Sequence, residues 1–238
     1  MKIATLPVHV GVILDGNRRF ARRLMKQPWY GHRWGAKKVR EFLHWLREFG
    51  IRYATLYSLS LENLDRRPKK ELEMIFRIFE MEFSKILRPD HEAHKYGVRI
   101  RIIGRVHLLP KKLQEILREV ERVTRKYKNY FLNFAIAYGG KQEITDAVKK
   151  IAKGVKTGKL SLREIDEHLI EKNLYTNGQP PVDLIIRTGG EKRISNFLLW
   201  QGAYAELFFV DKMWPEFTKE DFVKILKEFS QRERRFGK

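Results

Sequence analysis

The 238-residue chain has no cysteine, which excludes a disulfide framework, Cys-ligated zinc and thiol chemistry. Long apolar runs are missing too. No stretch approaches the roughly 18 consecutive apolar residues of a membrane span, and the chain does not begin with the uninterrupted apolar segment of a secretory signal. A soluble, cytoplasmic protein is the expectation. Internal repeats, linkers and low-complexity tracts are absent, and the length suits one domain over residues 1–238. Negative charge is scarce: 49 Lys and Arg stand against 29 Asp and Glu, a formal net charge of +20. Such a surface attracts nucleic acid, anionic lipid headgroups or phosphorylated small molecules, and the motifs must choose among them. The Gly-x-x-x-x-Gly-Lys-Ser/Thr phosphate loop is not present, which disfavours a nucleotide site of that kind.

What the chain does have is a regular alternation of patterns. Val8, Val10, Val12, Ile13 and Leu14 read as a buried strand, and Val39, Phe42, Leu43, Leu46 and Phe49 recur at helical spacing before Gly50. A strand at Tyr53 to Leu59 precedes a long Phe- and Met-rich helix running from Pro68 towards Pro89. Strands are predicted at 98–103, 131–137, 183–186 and 206–210, and helices at 110–128, 142–153 and 218–231. Ser161-Leu-Arg-Glu164 fits a capping box opening a helix to about Lys172, and Asn196 to Gln201 reads as a short helix. The alternation predicts an α/β fold with a mostly parallel central sheet flanked by helices.

Two strand ends carry the chemistry. Asp15-Gly16-Asn17-Arg18-Arg19 follows the first strand, and Arg187-Thr188-Gly189-Gly190-Glu191-Lys192-Arg193-Ile194-Ser195 follows the strand at Leu184 to Ile186. Arginine forks bind phosphate oxygens bidentately, and a lone carboxylate suits Mg²⁺ sharing its other ligands with that phosphate. The amides exposed by Gly189-Gly190 are candidates to hold a diphosphate. One such loop alone is most simply a charged surface turn; two Arg-bearing strand ends in one sheet point to a ligand. His32 is either structural or a proton relay, and His91 and His94 have no third metal ligand nearby. The stripe from Leu72 to Leu87, taken alone, is core.

These residues carry a resemblance. Asp15 to Ala21, Gly31-His32, Ser60-Leu61-Glu62-Asn63, Arg187 to Glu191, Arg193 to Gln201 and Tyr204-Ala205-Glu206 resemble, in order, the motif set of the cis-prenyltransferases. The resemblance implies an enzyme that joins isopentenyl diphosphate to an allylic diphosphate, farnesyl or geranylgeranyl, in cis geometry with loss of diphosphate. It implies a homodimer, an apolar tunnel for the prenyl chain and a glycosyl carrier lipid as the product's destination. Peripheral contact with the inner face of the membrane would serve product release. Asp15 and Glu206 would hold Mg²⁺, Glu206 from the partner subunit. Gly16, Asn17, Arg18, Arg19 and Phe20 would surround the allylic diphosphate, with Ser60, Leu61, Glu62, Leu64 and Arg66 beside them. Arg187, Arg193, Ile194 and Ser195 would bind isopentenyl diphosphate, either Asn63 and His32 or the released diphosphate would take the proton, and Arg235 and Gly237 would reach a neighbouring active site.

The chain departs from the family pattern at several places. Pro28 stands where many members have an Arg, leaving Arg18 or Lys26 to replace it. Phe20 replaces a Trp, Leu64 replaces an aromatic, and Lys192 stands where bacterial members often have His. An extra residue before Pro68 leaves Arg66 or Arg67 as the phosphate contact, with spacing from Asn63 favouring Arg66. No Asp-Asp-x-x-Asp motif occurs, which excludes the usual trans-prenyltransferase metal cluster. The competing readings are a short-chain cis-prenyltransferase, a catalytically silent subunit, against which Asp15 and Glu206 argue, and a basic nucleic-acid-binding protein. The last has no RNA-recognition or helix-turn-helix signature behind it, so no nucleic acid is expected as partner.

Overall fold

The β-branched runs and amphipathic stretches resolve, in a computed structural model that describes residues 3–232, into alternating strands and helices. The first half comprises β1 (His9–Ile13), α1 (Asn17–Arg23), α2 (Pro28–Glu48), β2 (Tyr53–Ser60), α3 (Leu61–Arg66), α4 (Lys69–Ile86), α5 (Glu92–Lys95) and β3 (Val98–Ile103). The second half comprises α6 (Lys111–Thr124), β4 (Tyr130–Tyr138), α7 (Gly140–Lys156), α8 (Glu167–Asn173), β5 (Leu184–Arg187), β6 (Glu206–Phe209) and α9 (Lys219–Gln231). Among the described residues the strands form one parallel sheet in the order β3-β4-β2-β1-β5-β6.

Strand side chains alternate between two cores, as a two-residue period requires. Val10, Val12, Leu184 and Ile186 join the larger cluster with Phe42 of α2, Phe83 of α4, Leu117 of α6 and Phe222 of α9. Ile13, Ile103 and Ile185 point the other way, into a smaller cluster with Phe197 and Leu198. Both faces are covered, so the strands read as nearly continuous apolar runs.

The chain leaves β1 towards β2 on one side and leaves β5 towards β6 on the other. Between β1 and β5 the strand order therefore reverses, and such a point opens a crevice at the carboxyl ends of the strands. Ile13 and Arg187 are direct neighbours in that pairing, so the residues after β1 and the end of β5 flank one crevice.

Two expected helices differ. Ser161 does form a capping box with Glu164, but it closes a single 3₁₀ turn at Leu162–Glu164; α8 starts afresh on Asp166, whose side chain accepts from the Leu169 amide. Residues 196–201 are not helical. Ser195, Asn196 and Leu198 have φ of 48°, 63° and 45°, left-handed values that break a right-handed helix at every attempt. Instead the Asn196 side chain accepts from the Lys141 amide at 2.8 Å and donates to Glu62 Oε1 at 2.8 Å, tying the start of α7 to α3.

Candidate active site

Asp15 lies just past β1, where Gly16 turns the chain with φ of 99°. A side chain at position 16 would need that strained left-handed backbone and would put its Cβ 2.7 Å from Met213 Cβ. Helix α1 begins at once, so the stretch expected to be a loop is a helical first turn: the amide of Phe20 is the first to find a helical acceptor, Gly16 O. Helix α2 packs against this turn at Gly31, where a Cβ would come within 1.9 Å of Asn17 O. Pro28 is the first residue of α2, a position that suits a residue without an amide hydrogen.

Asp15 and Arg187 form the centre. Arg187, 5% exposed, donates from Nη2 to Asp15 Oδ2 at 2.8 Å and from Nη1 to Ser195 Oγ at 2.7 Å and Arg193 O at 2.5 Å. The Gly16 amide donates to Asp15 Oδ1, with Arg19 Nη2 3.4 Å from that oxygen. Burial would raise the Asp15 carboxyl, but the Arg187 and Gly16 hydrogen bonds and the Arg187 and Arg19 charges outweigh it and hold it below the usual carboxylate range. Tyr57 supports the second loop from beneath, its hydroxyl donating to Ser195 O at 3.2 Å and its ring stacked on Phe197.

A second charged cluster stands opposite. Glu71, in the first turn of α4 and 4% exposed, receives Arg67 in a very short contact, His32 Nε2 at 3.2 Å and Arg18 Nε at 3.4 Å. Burial opposes its ionisation, yet His32, Arg67 and Arg18 together lower its pKa to about 2. His32 is pushed the other way: burial and the charges of Arg67 and Arg18 outweigh Glu71 and keep the imidazole below its ordinary value, neutral at pH 7. Among the described residues the Nε atoms of Arg18, Arg67 and Arg187 are buried without a hydrogen-bond partner. Arg18 Nε still has the Glu71 carboxylate at 3.4 Å, but a buried unanswered donor costs about 1–3 kcal/mol, and the Nε atoms of Arg67 and Arg187 leave two such donors beside the crevice, as suits an anion.

Both clusters open into one cavity of about 930 Å³. Its body is apolar, walled by Val39, Leu43 and Leu46 of α2, Ile78, Phe79 and Phe83 of α4 and the sheet residues Ala54, Leu132 and Phe134. It continues past Ala93, Val98 and Ile100 to Arg52 and Tyr130, at the amino ends of β2 and β4. The cavity therefore spans the height of the sheet, about 26 Å for the eight residues of β2. The α4 stripe is both core and wall.

Most of the residues singled out from the sequence line this cavity: Asp15, Gly16, Asn17, Arg18 and Arg19; His32, Ser60, Glu62, Asn63 and Arg66; and Arg187, Arg193 and Ser195. Of the two candidates to replace an Arg at position 28, Arg18 lines the cavity and Lys26 is exposed elsewhere. Arg66 is exposed on the rim, whereas Arg67 is committed to Glu71. Five candidates lie outside the lining. Phe20 packs edge-on against Trp34, Leu61 and Leu64 pack against the main core, and Ile194 packs against the smaller cluster. Glu206 pairs with Leu184 at the amino end of β5, whereas Asp15 lies beyond the carboxyl end of β1, so one chain does not bring the two carboxylates together. Arg235 and Gly237 lie outside the described residues. The Gly189 and Gly190 amides donate to Lys212 O and Val210 O at 2.8 and 2.9 Å, so they are not free to hold a diphosphate as expected. Glu71 and Tyr57 escaped sequence reasoning, and Arg67 was the less favoured of two alternatives. The offset of the Arg-Pro pair was the available signal for Arg67, but an acid in a first helical turn is usually a solvated one.

Comparison with known proteins agrees with this geometry. A family model described as "Putative undecaprenyl diphosphate synthase" matches residues 13–237. The chain is 53% identical, over its whole length and 89% of the relative, to a tritrans,polycis-undecaprenyl-diphosphate synthase (geranylgeranyl-diphosphate specific) of Pyrococcus horikoshii. A protein of the same description from Methanopyrus kandleri is 50% identical over the whole chain and 87% of its own length. Among solved structures, a lavandulyl diphosphate synthase from Lavandula x intermedia in complex with dimethylallyl diphosphate superposes with a TM-score of 0.91 and 32% identity, covering 98% of this chain and 99% of that one. A probable undecaprenyl diphosphate synthase from Campylobacter jejuni gives a TM-score of 0.79 and 35% identity, covering 98% and 100%. With fold, site and relatives in agreement, the chain belongs to the undecaprenyl diphosphate synthase family of cis-prenyltransferases.

Proposed function

We propose that the chain elongates geranylgeranyl diphosphate with isopentenyl diphosphate, in cis geometry and with release of diphosphate, to a polyprenyl diphosphate that serves as a glycosyl carrier lipid precursor. The observation that carries this reading is one cavity with an ion-paired, arginine-rich end and an apolar body. The primer is the one named for the archaeal relatives. Nothing in these matches points to nucleic acid.

Arg19 and Arg18, with the first-turn amides of α1, face the allylic diphosphate; Arg187, Arg193 and Ser195 receive isopentenyl diphosphate. Arg187 is fixed by its bonds to Ser195 and the Arg193 carbonyl, so its guanidinium is preorganised to hold the diphosphate of isopentenyl diphosphate, which stays on the product. Asp15 fits Mg²⁺ as a hard oxygen ligand, 31% exposed and held anionic. Among the described residues no three ligating side chains cluster, which suits an ion completing its shell from diphosphate and water. When bound, the ion would neutralise charge on the leaving diphosphate. His32 and Asn63, which both line the cavity, would serve proton transfer, with His32 held through Nε2 by Glu71 and Arg67.

A homodimer would supply Glu206 to the partner's site. That residue starts the edge strand β6, between Tyr204 and Leu207, which are 70% and 38% exposed, and Arg232 holds its carboxylate at 2.5 Å. Among the described residues no helix is long and apolar enough to cross a membrane, so membrane contact would be peripheral. Each added five-carbon unit, fully buried, gains roughly 3 to 4 kcal/mol, so the chain stays bound until the cavity is full. Incubation with radiolabelled isopentenyl diphosphate, Mg²⁺ and primers of increasing length tests the reading. Incorporation best supported by geranylgeranyl diphosphate, yielding a long cis product, is expected; no incorporation with any allylic primer would overturn it.

A further inference from the structure

Glu206 lies at the far end of the sheet from Asp15 of its own chain, and a short series of contacts holds its carboxylate there. It opens the edge strand β6, where its amide donates to Asp183 O at 2.9 Å. The Asp183 carboxylate in turn accepts the Val8 and His9 amides at 2.7 and 3.1 Å, so the amino ends of β1, β5 and β6 are tied together. Phe208 stands two residues on, on the same face of β6. Arg232, the residue that ends α9, lays its guanidinium 4.2 Å from the centre of the Phe208 ring and donates from Nη1 to Glu206 Oε2 at 2.5 Å. The arm is anchored at its base as well: the Arg232 amide donates to Phe229 O at 3.2 Å, and the Thr5 amide donates to Ser230 Oγ at 3.2 Å. Phe229 is 2% exposed within the main core.

An exposed ion pair adds little to stability, and here the glutamate and arginine side chains are 24% and 42% exposed, so the pair is poorly explained as a brace for the fold. Orientation is the better account. A glutamate on an edge strand samples several rotamers, and a ligand that needs one of them must order it. Arg232 orders it in advance. Among the described residues the carboxylate makes no second hydrogen bond, so Oε1 remains open. We propose that Arg232 is a positioning residue that acts across the subunit boundary, holding the Glu206 carboxylate in one orientation for the diphosphate site of the neighbouring subunit. This rests on the reading that Glu206 serves that subunit. A blocking clasp is the opposite alternative. It would grip both oxygens, whereas this hydrogen bond takes one, and the ring of Phe208 keeps the guanidinium in place.

The test uses mixed dimers purified through a different tag on each subunit. In the first, one subunit carries Asp15→Ala and the other Arg232→Ala. The site that keeps Asp15 then takes Glu206 from a subunit whose Arg232 is intact, so about half the parent's activity is expected. In the second, one subunit carries both substitutions and the other none. The site that keeps Asp15 now takes a Glu206 that has lost Arg232, and activity about tenfold below the first dimer is expected, as for a lost hydrogen bond to a charged group. Both dimers contain the same substitutions, so damage to the fold alone affects them equally. Equal activities or the reverse order would overturn the proposal, as would a rise in activity of the Arg232→Ala homodimer. Binding is read apart from turnover, by titration calorimetry with isopentenyl diphosphate and Mg²⁺. Affinity should be about tenfold weaker in the Arg232→Ala homodimer and within about threefold of the parent in Arg232→Lys, which keeps the charge; unchanged affinity in the Ala variant would overturn the proposal. If Arg232→Ala does not fold by circular dichroism, Arg232→Gln replaces it in both mixed dimers, with the same order expected. A third dimer, Asp15→Ala beside Glu206→Ala, separates the two readings. Inactivity there would remove the shared site and the proposal with it; activity there beside equal Arg232 dimers would remove the proposal alone.

Discussion

The two ends of the cavity handle charge in opposite ways. At the carboxyl edge of the sheet the charges are buried and answer one another: Arg187 is 5% exposed and clamped to Asp15 and Ser195, and Glu71 is enclosed by Arg67, Arg18 and His32. At the amino edge Arg40 and His44 are 56% and 53% exposed. Buried pairs keep their geometry and act through a low local dielectric, whereas exposed ones are mobile and screened by salt. The first arrangement suits groups that must hold a geometry; the second leaves its cations open to solvent.

If the carboxyl end is the chemical one, the largest effect should come from Asp15→Ala. We expect a fall in turnover of at least about a thousandfold with the far-ultraviolet circular dichroism unchanged; near-normal turnover would remove the metal assignment. Next is Glu71→Gln. Its pKa is depressed from 4.5 to about 2 in the fold, so the stability it contributes is complete above 4.5 and disappears as pH falls towards 2. Urea unfolding should show the variant about 3 kcal/mol less stable at pH 7, converging on the parent near pH 2. A constant difference across that range would contradict the enclosed-charge description.

Arg193→Ala should cost less, because the Arg193 side chain is 61% exposed and pairs with Glu191 at the surface. About 1.5–3 kcal/mol in kcat/KM for isopentenyl diphosphate is expected, as for one hydrogen bond to a charged group, and a change within twofold would place it outside the diphosphate site. Smallest should be Ala93→Phe at the far end. It should shorten the product with little effect on the first condensation, read by chain-length analysis of labelled products; an unchanged length distribution would show that the chain does not reach the amino edge of the sheet.

Much of this was legible in the sequence, for identifiable reasons. Parallel strands buried on both faces announce themselves as apolar runs, so β1 and β5 were readable, and with them the positions of Asp15 and Arg187. Contacts between distant segments were not. Whether Arg66 or Arg67 faces inward depends on where α3 ends and α4 begins, and the inward one is set by Glu71 on the next helix. The Gly189 and Gly190 amides looked available because nothing local answers them; their acceptors come from residues 210 and 212. Residues 196–201 have a helical composition but serve as a left-handed brace between α3 and α7. Glu206, adjacent to the site in motif order, lies at the other end of the sheet because parallel strands return all their amino ends to one edge.

The central claim is that one cavity begins in the Asp15 and Arg187 crevice and conducts the prenyl chain to the amino edge of the sheet. Photo-crosslinking with an allylic diphosphate carrying a diazirine at its hydrocarbon end, mapped by mass spectrometry after successive rounds of elongation, tests it most directly. The account predicts that crosslinks move from Leu43 and Phe79 to Ala93, Val98 and Tyr130 as the chain lengthens. Crosslinks that stay beside the diphosphate end, or that appear on α7 and α8 across the sheet, would contradict it.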